Sequence, residues 1–160
     1  MYTPLYIKTD NSLLSSLINI DELIKYALKN NISSLSITDN NMYGVIEFYK
    51  QAKKAGVKPI IGCEVYTAPT SRFERSMVEG EAYYHLILLA KNDQGYHNLI
   101  QLVSKAHLEG FYYKPRIDLE LLEKHSNGLI CLSACMCSPV IHLPQTRASL
   151  FLRVFVSKNI

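Results

Sequence analysis

At 160 residues, 48% hydrophobic and 19% charged, the chain is long enough to bury a core and too apolar to be disordered. Its 17 basic and 14 acidic side chains leave a net charge of +3, too small an excess to argue for nucleic acid by itself. Four cysteines, three of them crowded into residues 131–137, lack the spread of a secreted disulfide framework. No apolar run approaches the roughly 18 residues that span a bilayer. Reduced thiols, a cytoplasmic location and no membrane partner are therefore expected.

Leu5 to Lys8 reads as a short strand ending in the turn-like "TDNS". In "NIDELIKYALKNN", Ile20, Leu23, Ile24, Ala27 and Leu28 share a helical face, and Asn19 and Glu22 have the spacing of an N-cap and capping box. Ser34 to Thr38 is a buried strand that stops in Asp39, Asn40 and Asn41. Gly44 to Ala55 forms a helix with Ile46, Phe48, Tyr49 and Ala52 placed to pack, and Gly56 ends it. "KPIIGCEVY", apolar on both faces, is the next strand, which completes a βαβ unit.

"TSRFERSMVEGE" breaks every periodicity and reads as a surface loop. "AYYHLILLAK" is a strand, Asn92 caps a helix through about His107, and "EGFYYKPRID" is a loop. "DLELLEKH" is a short helix and "GLICLSAC" a further strand. The alternation argues for an α/β fold. It is read as an incomplete, distorted (β/α) barrel, with parallel strands inside and helices outside. No acidic residue follows Glu123, and residues 138–160 read as a divergent tail from truncation or a frameshift, after a domain spanning 1–137.

Ligands in parallel α/β folds sit beyond the carboxyl ends of the strands. Those ends carry Tyr6 and Lys8, Asp39 and Asn40, Glu64, His85 and Cys135. Asp39 could act as a base, but an Asp in a Thr-Asp-Asn-Asn run more often binds the backbone of its own turn or caps the helix that follows. The spacing of Cys131, Cys135 and Cys137, with His142, is not that of a paired zinc knuckle. His97, His107 and His125 are expected at solvated helix positions.

Three stretches, "ITDNNMYGVIEFYKQAKKAGVKPIIGCEVY", "YYHLILLAKNDQGYHNLIQLVSKAHLEGFYYKPRID" and "NGLICLSAC", resemble the amino-terminal polymerase-and-histidinol-phosphatase (PHP) domain of bacterial DNA polymerase III alpha subunits. The resemblance implies a cluster of divalent metals (Zn, Mn or Mg) in intact members, able to activate water against a phosphate ester. It places metal ligands as a His-x-His pair after the first strand, an Asp in the following loop, and a Thr-Asp-His motif after the second strand. A Glu, a His and a Cys or His follow. Here Tyr6 and Lys8 stand at the His pair, Ser15 stands near the Asp, and Asn40 follows Thr38-Asp39; only Glu64, His85 and Cys135 match.

A phenol is a poor ligand, and an ammonium has no lone pair until it loses its proton near pH 10.4. The expectation is therefore no cofactor in this fragment, with the Lys8 charge partly replacing a metal and pairing with Glu64. The resemblance further implies a replication setting, with the remainder of the polymerase alpha subunit, the proofreading and clamp subunits, and DNA as partners. The carboxylates of nucleotidyl transfer would lie outside these residues. A structural, inactive fragment is the preferred reading, with a PHP-family phosphoesterase and a single-stranded DNA or partner-binding module as alternatives. The last would use Tyr112, Tyr113, Lys114 and Arg116, which stack on bases and contact phosphates if they are not simply packed and solvated.

Overall fold

A computed structural model describes residues 2–78 and 82–142, with only the backbone of His142. The chain divides into two compact units, Met1–Cys63 and Glu64–Ile160. Residues 143–160, most of the predicted tail, lie outside the described residues.

In the first unit, α1 (Ile20–Lys29) starts at Asn19, whose side chain accepts the Asp21 N–H at 2.9 Å. It buries Ile20, Leu23, Ile24 and Ala27. β1 (Ser34–Ile37) runs parallel to the beginning of β2 (Lys58–Thr67), with Ser34 opposite Lys58 and Ile37 opposite Ile61. Between them lies α2 (Val45–Lys54), which is followed by Gly56 in the left-handed region at φ 75°, where a side chain would be strained.

Two expectations for this unit need correction. Leu28, Ile46 and Tyr49 are exposed. In α2 the buried stripe is Val45, Phe48 and Ala52, and the 100° step per residue turns Ile46 and Tyr49 off it. Leu5 to Lys8 is no strand either. Ser36 N–H donates to Pro4 O and Thr38 N–H to Ile7 O, three residues against two, so the ladder slips. Ile7 N–H turns instead to Thr38 Oγ1 at 3.0 Å.

In the second unit the strand order is β4-β5-β2-β3-β6. These are β3 (Tyr84–Ala90), β4 (Phe111–Tyr112), β5 (Lys114–Ile117) and β6 (Leu129–Leu132). Among the described residues the ends of this order do not pair, so the sheet is open. The helices are α3 (Asp93–Leu108), α4 (Leu119–His125) and the short α5 (Pro139–His142). Asn92 Oδ1 accepts from Gly95 N–H, and Asp118 Oδ1 from Leu121 N–H, each an N-cap. Leu86, Leu88, Leu99, Leu102, Ile117 and Leu122 are at most 1% exposed. Burying each stabilises the fold by roughly 1.5–3 kcal/mol.

β2 and β5 are parallel, as expected, through Tyr66–Arg116 and Thr67–Ile117. β3 and β6, however, are antiparallel, Ile87 facing Leu132 and Ala90 facing Leu129. The reason is where the chain returns. Gly128 O accepts from Lys91 N–H at 2.9 Å, and Asn127 O from the Asn98 side chain at 2.7 Å. β6 therefore starts where β3 ends and must run back along it. The expected "EGFYYKPRID" loop is instead a tight antiparallel hairpin, with Phe111 opposite Pro115 and Tyr112 opposite Lys114. Tyr113 turns it at φ 58°, a conformation that glycine or asparagine would have announced.

Candidate strand-end site and hairpin face

After β1, Asp39 is 1% exposed. Its Oδ1 accepts from Thr9 N–H at 2.7 Å and Ser12 Oγ at 2.6 Å, and its Oδ2 from Thr9 Oγ1 at 2.7 Å. Ser12 Oγ accepts in turn from Asn40 N–H. The carboxylate thus ties the Thr9–Ser12 turn to the end of β1, and both of its oxygens are engaged. Lys8 Nζ donates to Asn40 Oδ1 at 2.8 Å and lies 6.0 Å from the centroid of the Tyr6 ring, which is itself 54% exposed. Ser15 N–H donates to Ser12 O within the same turn.

In the second unit, Glu64 is 2% exposed, and its Oε1 lies 2.7 Å from His85 Nδ1. Residues two apart on a strand share a face, so Glu64 and Tyr66 point the same way, as do Tyr83 and His85 where β3 begins. The rings accordingly pack edge-on: Tyr66 with Tyr83 at 5.0 Å and Tyr66 with His85 at 5.1 Å. The period of two in the sequence already places Tyr66 with Glu64 and Tyr83 with His85, although neither tyrosine belongs to the family's ligand motifs. Cys135 is exposed and lies beyond β6, not on it, after Ala134 at φ 60°. Cys137, also exposed, accepts His85 N–H through its carbonyl at 2.8 Å. Cys131 sits half-buried on β6, where desolvation pushes its thiol up to about 12 and disfavours the reactive thiolate.

The hairpin separates its four nominated residues. Tyr113 is 64% exposed and Lys114 is exposed, its ammonium 5.7 Å from the Tyr66 ring centroid. Tyr112 is half-buried, and its hydroxyl titrates higher than usual because of burial and then of Tyr113. Arg116 is the correction: it is 0% exposed and cannot meet a phosphate at the surface. Its guanidinium donates to the carbonyls of Gly110, Ala82 and Glu74 at 3.2, 3.0 and 2.8 Å. Burial lowers its pKa from the ordinary value. His125 departs from its expected solvated position as well, with Nε2 buried and lacking a partner among the described residues.

A family model described as "PHP domain" matches residues 4–149. The chain belongs to the PHP family. Over 134 residues this PHP chain is 54% identical to the DNA polymerase III subunit alpha of Borreliella burgdorferi, a match covering 82% of this chain and 12% of that protein. The corresponding subunits of Treponema pallidum and Thermus aquaticus are each 46% identical, over 89% and 84% of this chain. The chain spans 12% of the length of these curated relatives. A solved structure of a putative metal-dependent phosphoesterase from Bifidobacterium adolescentis is 10% identical with a TM-score of 0.46, covering 98% of this chain and 56% of the other, a likeness too slight to carry weight.

The donors of this PHP chain do not suit the metal cluster that intact family members imply. In the first unit the Asp39 oxygens are engaged, the Asn40 oxygen faces a lysine ammonium, and Lys8 would repel a dication. In the second unit Glu64 and His85 occupy each other. Among the described residues no group of three or more His, Cys, Asp or Glu side chains is placed to hold a metal.

Proposed function

We propose that this chain is the PHP portion of a replicative DNA polymerase III alpha subunit and that it serves there as a scaffold, not as a phosphoesterase. The reading rests above all on one contact, the 2.8 Å bond from Lys8 Nζ to Asn40 Oδ1, which joins two positions where the family resemblance expects histidines. A cation held by an amide is the reverse of a metal site, in which donors with free lone pairs converge on an ion.

The remainder of the polymerase, its proofreading and clamp subunits, and DNA are the partners of this reading, in the bacterial cytoplasm. An apolar display supports a packing role. Leu13, Leu14 and Leu17 are 84%, 107% and 96% exposed, in the segment that Asp39 anchors through Thr9 and Ser12. Three leucines this exposed within five residues favour a surface that a larger body covers.

The test is direct. After dialysis against Mn²⁺ or Zn²⁺, the purified chain is expected to retain less than one equivalent of metal. It is also expected to hydrolyse bis(p-nitrophenyl) phosphate no faster than its Glu64→Ala variant. Two or more retained equivalents, with hydrolysis that Glu64→Ala abolishes, would establish the phosphoesterase and overturn the scaffold.

A further inference from the structure

Both helices of the first unit end at the same edge. Ile32 N–H donates to Ala27 O and Val57 N–H to Ala52 O, so each helix closes its last turn just before the strand that follows it. Those strands are parallel with Ser34 opposite Lys58, and Lys58 N–H donates to Ser33 O at 2.8 Å. α1 and α2 also pack on one another. Their last turns and the first residues of β1 and β2 therefore form one pole, which carries Lys29, Lys53, Lys54 and Lys58, all exposed. Two further exposed lysines, Lys25 and Lys50, stand one turn up, at i,i+4 spacing from Lys29 and Lys54. Like charges at that spacing destabilise a helix, so this arrangement gains nothing for the fold.

No acidic residue of the first unit balances the pole. Those residues are Asp10, Asp21, Glu22, Asp39 and Glu47. Asp21 and Glu22 lie in the first turn of α1 and Glu47 in that of α2. At 1.5 Å per residue they stand roughly 9 Å or more from Lys29, Lys53 and Lys54 along the helix axes, about one screening length at physiological salt. Asp39 follows the far end of β1 and is engaged by Thr9 and Ser12, the turn that contains Asp10. None of the four lysines has an ion pair among the described residues. The two helix C-termini bring about −0.5 charge each, which leaves roughly +3 of the four positive charges. Of the large apolar side chains in these last turns, Tyr26 and Leu28 are exposed, but two residues of helix set them about 160° apart, so they form no single patch for a protein segment to bury.

We propose that Lys29, Lys53, Lys54 and Lys58 form a seat for the phosphate backbone of duplex DNA. Lysine brings a point charge without a flat ring or a guanidinium fork, so the pole neutralises phosphates and reads no bases. A duplex suits it because the two strands together carry one charge per 1.7 Å of axis, twice the density of one strand. The inference goes beyond the scaffold reading. These lysines take no part in the Glu64 and metal test, so either reading can fail without the other.

The experiment is fluorescence anisotropy of a labelled duplex of about 20 base pairs with the full 160-residue chain in EDTA, over a salt series. Four neutralised phosphates predict a slope of about −3.6 for log K against log salt, or binding about 150-fold weaker at 200 than at 50 mM. Lys53→Ala/Lys54→Ala and, separately, Lys29→Ala/Lys58→Ala should each halve the slope, to about −1.8. Lys53→Arg/Lys54→Arg keeps the charge and should keep the slope, as should Lys114→Ala on the hairpin of the second unit. The four lysines are exposed and their ammonium groups make no hydrogen bond among the described residues, so these variants keep their fold. Absent binding, a slope that neither alanine pair moves, or one that the arginine pair or Lys114→Ala lowers equally overturns the proposal. Poly-L-glutamate that binds as tightly as the duplex, through the same lysines, would make the pole a site for an acidic protein and overturn it as well.

Discussion

Replacing Arg72 with methionine tests how the second unit is held. The guanidinium, side chain 10% exposed, lies 2.9 Å from Asp118 Oδ1, whose side chain is only 3% exposed. Burial works against the Arg72 charge, but hydrogen bonds to Glu109 and Asp118 more than offset it and raise its pKa. Removing the cation strands a buried carboxylate, at a cost of about 3–5 kcal/mol. The lower end applies here, because Asp118 keeps the N–H donors of Arg72 and Leu121. With a urea m-value of about 2 kcal/mol/M, a loss of about 3 kcal/mol lowers the unfolding midpoint by about 1.5 M. Adding Asp118→Asn should recover part of that loss, since asparagine removes the stranded charge and still caps α4. The double variant is thus expected to be more stable than Arg72→Met alone. A double variant whose midpoint falls further than the single one would refute the stranded-charge argument.

Other expectations follow from close contacts and buried groups. Gly95→Ala, ordinarily favourable in a helix, should destabilise by about 1–3 kcal/mol in a thermal melt, because the new Cβ would lie 1.8 Å from Gly128 O. Asp39→Asn removes charge from the acceptor of Thr9 and Ser12; a loss of about 2 kcal/mol, with faster amide exchange at Thr9, is expected. Burial, then Lys124 and Lys105, lowers the His125 pKa below its ordinary 6.5. The unfolded chain therefore takes up that proton first. Stability is complete above pH 6.5 and falls as the pH drops toward 5, and His125→Leu should flatten that slope in urea titrations. Cys135 and Cys137, both exposed, should react with a maleimide before Cys131, whose thiol is held near 12; equal rates at all three would contradict the burial of Cys131.

What lay in the sequence was what neighbouring residues decide. The caps at Asn19 and Asn92, the stop at Gly56 and the extents of the longer helices depend on contacts within one turn of chain. Asp39 was legible only in part: the polar run after a buried strand marked a turn, but the carboxylate holds Thr9 and Ser12, 30 and 27 residues away and without local signal, in place of the expected backbone of its own turn. The polarity of Arg116 suggested a surface contact, because one side chain cannot reveal that carbonyls of distant segments will enclose it.

The antiparallel course of β6 was equally hidden. It follows from Gly128 seating against Gly95, an approach that two missing side chains permit and only the folded chain completes. Local propensity acts over a few residues and so fixes elements and their ends. Pairing direction, burial and the partners of charged groups depend on which distant segments meet, and close packing settles that in three dimensions.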